Sequence, residues 1–309
     1  MSFPVFLLGS GRSGSTLLQR VLNSYDDITI WGEHRGFLLG LSDAYFEIVA
    51  HPWNRQHWTS LWLDATPSWD QVREWKAGDQ WQAWMNWVTL ADVDEQFRRF
   101  LRSFFQHPSG ATAGHFWGFK EIRYGRGDRV IEFLARLFPD ARFVFLSRNG
   151  LNSVSSQVRT FQPAGTRFRA LRDLASTRLV VHRAEQWRLQ NATLLEWHRS
   201  GTIRSHWITY EAMVRDPEAL APLLADLGKT IGPAQRAVLG NTEGRGAFSA
   251  DVDVNARWRA IGLVPMACAE IVLGEVNADL GYEVPAGLRW ARGLRWLAPA
   301  LKAVRHRAP

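Results

Sequence analysis

The stretch Pro4-Val-Phe-Leu-Leu-Gly-Ser-Gly-Arg-Ser-Gly-Ser-Thr16 decides the fold of this chain. It begins with an apolar run that predicts a buried strand over residues 4–8, followed by a turn of small residues. The apolar residues that follow the turn have helical spacing and predict a helix over residues 16–23. A strand, a glycine-rich turn and a helix in this order are typical of nucleotide-binding α/β units, in which backbone N–H groups and a helix N-terminus bind a phosphate.

Apolar runs and amphipathic segments alternate along the rest of the chain. Strands are predicted at residues 28–30, 116–119, 143–146 and 207–209, and helices at 92–105, 128–137, 171–199 and 217–227. We therefore expect an α/β protein with a P-loop-like three-layer fold, in which a central parallel sheet is flanked by helices. One domain over residues 1–285 and a basic amphipathic tail over residues 286–309 are the expected organisation.

A tryptophan-rich insertion interrupts this alternation at residues 51–88. Between Trp53 and Trp87 lie eight of the 16 tryptophans of the chain. Thr66-Pro67-Ser68 precedes Trp69 and predicts the start of a helix, so the insertion is expected to be helical. Two interpretations stay open: a small satellite core, or a lid whose flat rings contact an acceptor.

The composition excludes several classes of protein. With 46% hydrophobic and 22% charged residues the chain is expected to fold, and no apolar run approaches the length of a membrane-spanning helix. The single cysteine, Cys268, excludes an internal disulfide and a cysteine-clustered metal site. Residues 1–8 lack the basic start and long apolar stretch of a secretory leader, so a cytoplasmic location is expected.

The net charge of +7 is concentrated in the tail. Six basic residues and no acidic residue lie between Ala286 and Pro309, so the body of the chain is nearly neutral. A neutral body favours a small anionic ligand over nucleic acid. The tail itself is expected to be solvated, docked on a partner, or in peripheral contact with the inner face of a membrane.

The turn after the first strand resembles a P-loop but lacks its lysine. Gly9 and Gly14 have the spacing of GxxxxGK[ST], with Ser15 at the lysine position and the cation moved upstream to Arg12. Such a loop binds phosphate but is poorly suited to metal-dependent phosphoryl transfer. The dinucleotide pattern GxGxxG also occurs here, and Glu33 lies near the distance of its ribose-binding acid, so that interpretation stays open.

The segment from Ser10 to Leu18 resembles the 5′-phosphosulfate loop of the sulfotransferases that use 3′-phosphoadenylyl sulfate (PAPS). Glycine stands where the usual form has proline, and Arg12 fits the variant of tyrosylprotein sulfotransferases and many bacterial members. The resemblance implies that the loop binds the donor through Gly11, Arg12, Ser13, Gly14, Ser15 and Thr16.

Further motifs extend the resemblance along the chain. Residues 143–156 resemble the family's 3′-phosphate segment, in which an arginine ends a strand and a serine follows eight residues later, here Arg148 and Ser156. The segment from Ile208 to Pro217 is similar to a stretch whose tyrosine lies near the adenine, which implies that role for Tyr210. A C-terminal arginine is expected to complete the 3′-phosphate site, and the candidates are Arg245, Arg257 and Arg259.

The resemblance also assigns catalytic roles. Glu33 is the expected base and Arg35 contacts the acceptor, since tyrosylprotein sulfotransferases have a similar Glu-x-Arg after the loop helix. His34 is the local rival as base and otherwise an acceptor contact, because its ordinary pKa suits proton transfer. Lys120 ends a predicted strand and is the expected transition-state cation beside Arg12. Cytosolic family members place a histidine two residues beyond this lysine, where this chain has Ile122.

The sequence therefore predicts a PAPS-dependent sulfotransferase (EC 2.8.2.-) that needs no metal and transfers a sulfuryl group to a hydroxyl of a glycan, glycolipid, peptide or small metabolite. One alternative is a P-loop kinase of a small molecule or nucleotide, which would require Mg²⁺. Another is a nucleotide-sensing or membrane-associated scaffold whose active part is the basic tail.

Overall fold

Five parallel strands form one sheet in the computed structural model, which describes residues 3–50, 68–78, 90–106, 114–161, 170–240 and 261–303. In chain order the strands are β1 (Pro4–Gly9), β2 (Ile28–Trp31), β3 (Phe116–Glu121), β4 (Arg142–Ser147) and β5 (Ser205–Thr209). Their spatial order is β2-β3-β1-β4-β5, so β1 is central. Each predicted strand is confirmed, and the parallel arrangement brings all five carboxyl ends to one edge of the sheet.

The helices of the described residues follow the strands and the loops between them. They are α1 (Ser15–Leu22), α2 (Leu38–Ala50), α3 (Trp69–Ala77), α4 (Leu90–Leu101), α5 (Val130–Leu137), α6 (Gly150–Phe161), α7 (Ala170–Ser200), α8 (Tyr210–Arg215), α9 (Ala221–Asp226), α10 (Pro233–Gly240), α11 (Leu263–Asp279) and α12 (Ala298–Ala303). A π-helical turn at Arg102–Gln106 follows α4, and 3₁₀ segments occupy Pro217–Leu220 and Ala286–Leu297.

Alternating side chains of the central strand pack on the two faces of the sheet. Phe6 and Leu8 face a cluster completed by α2, α4 and α5, whereas Val5 and Leu7 face α1 and α8 to α10. This period of two is what a strand covered on both sides requires. The predicted three-layer α/β fold is therefore confirmed.

A third hydrophobic cluster lies beside the sheet, where α6 and α7 pack against α11 and the 3₁₀ segment Ala286–Leu297. Periodicity did not predict α11, because its apolar residues occur on all sides of the helix and most of them are buried. The cluster brings the C-terminal part of the chain against the helix that follows β4.

Two predicted helices differ from the structure in detail. The helix predicted at residues 92–105 ends at Leu101 and passes into a π-helical turn. The one predicted at residues 217–227 divides into a 3₁₀ turn that begins at Pro217 and the short helix α9.

Part of the tryptophan-rich insertion is described, and it contains α3. The helix begins at Trp69, where its start was predicted, and a capping box closes its N-terminus: the N–H of Gln71 donates to Oγ of Ser68, and the N–H of Ser68 donates to Oε1 of Gln71. Trp69 is 76% exposed. Residues 51–67 and 79–88 lie outside the described residues, so the satellite core and the lid remain two interpretations. Among the described helices, none combines the length and the apolar character needed to cross a membrane.

Candidate functional site

The turn between β1 and α1 has an unusual backbone and buried hydroxyls. Arg12 and Gly14 have positive φ angles of 65° and 90°. A Cβ atom at position 14 would lie 2.3 Å from Cδ2 of Tyr210, so only glycine allows this ring to pack on the turn. The hydroxyls of Ser10 and Ser13 are buried and have no hydrogen-bond partner among the described residues. Oxygen atoms of a bound phosphate group would satisfy such hydroxyls.

Two arginines lie at this turn. Nε of Arg12 donates to Oγ of Ser156 at 3.1 Å. Nη1 of Arg148 donates to the carbonyl oxygen of Arg12 at 3.2 Å, and its guanidinium carbon lies 4.4 Å from the ring centroid of Tyr210. Burial lowers the pKa of Arg148, and its buried Nε has no hydrogen-bond partner among the described residues. A buried guanidinium with an unpaired donor is suited to bind an anion.

Residues that the sequence did not single out fix the position of the turn. Oγ of Ser153 and Nε2 of Gln157, both on α6, donate to the carbonyl oxygen of Gly11 at 2.8 and 3.1 Å. Nε2 of Gln190, buried on α7, donates to the carbonyl oxygen of Gly9 at 3.1 Å. For Ser153 the spacing of three residues from Ser156 was an available signal, and Gln157 follows Ser153 by four residues, since residues three or four apart share a helix face. Nothing in the sequence marks Gln190.

A carboxylate and an amine form an ion pair at the ends of the neighbouring strands β2 and β3. Nζ of Lys120 donates to Oε1 of Glu33 at 2.6 Å, and Lys120 is 5% exposed. Within the sheet Lys120 lies beside Leu7, two residues before the end of β1. The pair and the turn therefore lie at the same edge of the sheet. Nη1 of Arg123 donates to the other oxygen of Glu33 at 3.2 Å.

Glu121 is fully buried and organises the loop that carries Glu33. Its Oε2 accepts hydrogen bonds from the backbone N–H groups of His34 (3.2 Å) and Gly36 (2.9 Å). Its Oε1 accepts from the N–H of Ile122 at 2.8 Å and from Nη1 of Arg123 at 2.5 Å. These charge-assisted bonds connect the end of β3 to the loop after β2.

His34 and Arg35, the two predicted acceptor contacts, lie in different surroundings. His34 points inward, where Nε2 lies 2.5 Å from the hydroxyl of Tyr124 and the imidazole contacts the rings of Phe105 and Phe119. Burial lowers the pKa of His34, against the opposing effect of Glu121. Arg35 is exposed, has a φ of 59° and makes no hydrogen bond or ion pair with another described residue.

The C-terminal part of the chain closes on the end of β4. Oγ of Ser147 and the hydroxyl of Tyr282 are 3.0 Å apart, and burial raises the pKa of Tyr282. The N–H of Gly150 donates to Oδ1 of Asn277 on α11 at 2.9 Å. No motif pointed to Tyr282 or Asn277, because their contacts join distant parts of the chain.

The structure brings together most of the predicted site. The turn residues, Arg148, Ser156 and Tyr210 form one group, and Glu33 with Lys120 forms a second group at the same sheet edge. Arg245, Arg257 and Arg259 lie outside the described residues. The described ranges contain no group of three or more His, Cys, Asp or Glu side chains that could hold a metal ion.

The comparisons with known proteins give one family and one fold. A family model described as "Sulfotransferase family" matches residues 4–228. The sulfotransferase domain of the Synechococcus PCC 7002 olefin synthase has a similar fold, with a TM-score of 0.55, 19% identity, and coverage of 92% of this chain and 96% of that one. No curated protein is significantly similar in sequence.

Two further solved structures align over most of the chain with lower scores. Sulfotransferase STF9 from Mycobacterium avium aligns with a TM-score of 0.47 and 16% identity over 92% of this chain and 78% of that one. A sulfotransferase from Alicyclobacillus acidocaldarius aligns with a TM-score of 0.43 and 15% identity over 92% of this chain and 98% of that one.

The family match spans all five strands, the turn after β1 and the residues gathered at its edge of the sheet. It covers well over half of the 309 residues. The chain belongs to the sulfotransferase family.

Proposed function

We propose that the protein is a PAPS-dependent sulfotransferase (EC 2.8.2.-) that transfers the sulfuryl group to an acceptor hydroxyl by in-line displacement. The observation that carries the proposal is the position of two groups at one edge of the sheet. The turn with Arg12 and two buried, unpartnered hydroxyls follows β1, and the Glu33–Lys120 pair lies at the ends of β2 and β3, the two strands on one side of β1. One group is suited to an anionic donor and the other to a hydroxyl that must lose its proton.

The residues around the turn fit the donor. Gly11 to Thr16 would bind the 5′-phosphosulfate through backbone and hydroxyl groups, with Arg12 as their cation. Arg148 and Ser156 would bind the 3′-phosphate, for which the unpaired Nε of Arg148 is the direct support. Tyr210, already stacked beneath the guanidinium of Arg148, would contact the adenine.

The proposed chemistry requires a base and a cation close together. As the acceptor oxygen bonds to sulfur and the sulfur–oxygen bond to the 5′-phosphate breaks, the hydroxyl proton passes to the carboxylate of Glu33. Lys120 orients this carboxylate through the hydrogen bond of 2.6 Å. Lys120 and Arg12 stabilise the charge that develops on the transferred group and on the leaving phosphate. No metal is needed in this proposal, because these cations supply the electrostatic stabilisation.

Aromatic side chains beside Glu33 indicate what else the acceptor contains. Trp31 and Phe104 are 38% and 51% exposed, and Nε1 of Trp31 donates to the carbonyl oxygen of Phe105 at 2.7 Å, so the indole is oriented. The rings of Phe37 and Phe104 lie 5.0 Å apart. We infer that the reactive hydroxyl belongs to a molecule with an apolar or aromatic portion, such as a glycolipid, an aromatic peptide side chain or a small metabolite.

Calorimetric titration with adenosine 3′,5′-bisphosphate, the product left by the donor, tests the proposal without an acceptor. We expect micromolar binding that EDTA does not change and that Arg148→Ala abolishes. Arg204→Ala is the matched control, since Arg204 is an exposed arginine outside the site. Binding of ATP with Mg²⁺ alone would instead support a P-loop kinase.

Incubation with ³⁵S-labelled PAPS and a panel of phenols, sugars and glycolipids then identifies the acceptor.

A further inference from the structure

The C-terminal 3₁₀ segment carries the tripeptide Leu-Arg-Trp twice, at residues 288–290 and 294–296. A 3₁₀ helix has three residues per turn, so equivalent residues of the two copies lie two turns apart on one side. In an α-helix the same residues would be rotated by about 120° from each other. The segment Ala286–Leu297 is 3₁₀-helical, with one non-helical residue at Leu294. Across the kink at Leu294, the leucines of both copies face the protein and the tryptophans of both are exposed. The arginines differ, because Arg289 is exposed whereas Arg295 is half-buried, with Nε and Nη2 buried.

The leucine side of this segment faces the protein. Leu288 and Ala291 are completely buried, and Leu294 and Leu297 pack partly buried against the third hydrophobic cluster. These leucines dock the tail onto the domain, so they do not form an apolar surface toward the outside.

The tryptophan side faces outward. Trp290 is 52% and Trp296 is 73% exposed. Exposing the large apolar ring of a tryptophan to water costs more free energy than exposing most other side chains. Nε1 of Trp290 donates to the carbonyl oxygen of Gly287 at 2.9 Å, so the polar edge of that indole is satisfied and its apolar face remains open. Single apolar residues scattered over a protein surface are normal, whereas two exposed tryptophans on one short segment indicate a contact surface.

The arginine side is exposed beside the tryptophans. Arg289 and Arg292 are both exposed, and residues 286–303 contain no acidic residue. Arg292 lies 3.6 Å from the buried Glu270, and Lys302 lies 3.6 Å from Glu185. Both carboxylates lie on the domain side, so Arg289 and the exposed part of Arg292 are the positive groups that the outer surface presents.

We propose that this outer surface, made of Arg289, Trp290, Arg292 and Trp296, docks on an anionic lipid membrane. Tryptophan favours the boundary between headgroups and acyl chains, and arginine binds the lipid phosphates. A second copy of the chain fits less well, because a symmetric contact would place like-charged arginines against each other. The inference does not depend on the proposed sulfuryl transfer.

Sedimentation with sucrose-loaded vesicles tests the proposal with the full chain. We expect binding to vesicles of equal amounts of phosphatidylcholine and phosphatidylglycerol, weakened by salt, and no binding to phosphatidylcholine alone. The pair Trp290→Ala/Trp296→Ala should reduce the partition coefficient at least ~10-fold, because the inserted indoles are lost. Arg289→Gln/Arg292→Gln should reduce it by about 10-fold or more, since each basic residue near an anionic surface contributes about 1 kcal/mol.

Trp69→Ala is the matched control, because Trp69 is equally exposed on α3, outside the tail. It should bind vesicles like the unchanged protein. The tryptophan variants should keep the unfolding temperature of the unchanged protein, since the replaced side chains are exposed. Arg289→Gln/Arg292→Gln also removes the contact of Arg292 with Glu270, so its binding is compared at a temperature at which unfolding curves show it fully folded. Vesicle binding that is absent, or equal in the two double variants and the unchanged protein, overturns the proposal. Two other results would also overturn it if vesicle binding is absent. One is self-association that light scattering detects and that depends on the two tryptophans, and the other is tryptophan-dependent binding to a single-stranded oligonucleotide.

Discussion

Oε2 of Glu121, at the end of β3, accepts a hydrogen bond of 2.9 Å from the backbone N–H of Gly36, in the loop that follows β2. The same oxygen accepts from the N–H of His34, the residue after the proposed base Glu33. A completely buried carboxylate therefore determines the path of the loop that positions Glu33. We assign Glu121 a positioning role, because its own oxygens are already occupied by the backbone and by Arg123.

Glu121→Gln should destabilise the protein by about 1–3 kcal/mol, because the amide NH₂ group would meet a backbone N–H group and leave a buried donor unsatisfied. It should also lower kcat for the acceptor found with labelled PAPS, while the affinity for adenosine 3′,5′-bisphosphate stays unchanged. Urea unfolding, calorimetry and steady-state rates measure the three quantities.

Glu132→Gln is the control for this change. Glu132 is an exposed carboxylate paired with Arg129, and such surface pairs contribute at most ~1 kcal/mol. A loss of stability with an unchanged kcat in Glu121→Gln would restrict Glu121 to a structural role.

The proposed catalytic cations can be tested against paired controls. Arg12→Ala and Lys120→Ala should each lower kcat/KM by on the order of 10²-fold or more, because they remove charge stabilisation at the transferred group. Arg20→Ala and Lys229→Ala should leave it unchanged: Arg20 is exposed on α1, and Lys229 forms an ion pair with Asp27 elsewhere. Unchanged rates in both site variants would remove Arg12 and Lys120 from the mechanism.

Gly14→Ala should affect both folding and donor binding. The new Cβ would collide with the ring of Tyr210, and alanine is strained at a φ of 90°. Gly228→Ala separates the two effects, because Gly228 also has a positive φ but open space around its Cα. We expect that control to lose about 1–2 kcal/mol in thermal unfolding. Gly14→Ala should lose more, and should bind adenosine 3′,5′-bisphosphate at least ~10-fold more weakly. Equal losses and unchanged binding would argue against the packing of Tyr210 on the turn.

Glu270 makes stability depend on pH. This carboxyl is completely buried on α11, and burial raises its pKa from 4.5 to about 7 despite Arg292 and Arg295. The folded state therefore binds the proton more tightly than the unfolded state. This contribution is complete below pH 4.5 and is lost as the pH rises through about 7.

Glu270→Gln imitates the protonated form. The stability of this variant relative to the unchanged protein should therefore increase between about pH 5 and pH 8, by up to ~3 kcal/mol. Glu275→Gln, on the same helix but exposed, should show no such trend. Unfolding temperatures measured across this pH range decide the question, and parallel curves for Glu270→Gln and the unchanged protein would contradict the shift.

Local sequence predicted the parts of the site that depend on strand-to-helix transitions. The turn after β1 and Arg148, the residue after β4, each lie between an apolar run and a helix start, so their backbone surroundings are set by neighbours in the chain. Parallel strands then bring the ends together at one edge. For this reason Arg12, Arg148 and Lys120 were predictable before their distances were known.

Only the tertiary structure showed which residues fix these groups in place. Glu121 and Gly36 are 85 residues apart in the chain, and Gln190 and Gly9 are 181 residues apart. Their hydrogen bonds depend on how helices and loops pack over the sheet, and a buried Glu or Gln carries no local pattern that names its partner. Likewise, the tail sequence contained the leucines and tryptophans, but packing on α11 decided that the leucines face inward and the tryptophans outward. Sequence thus determined which polar and charged groups lie at the sheet edge, through short-range backbone geometry. Long-range burial decided how those groups are positioned and which side chains the surface presents.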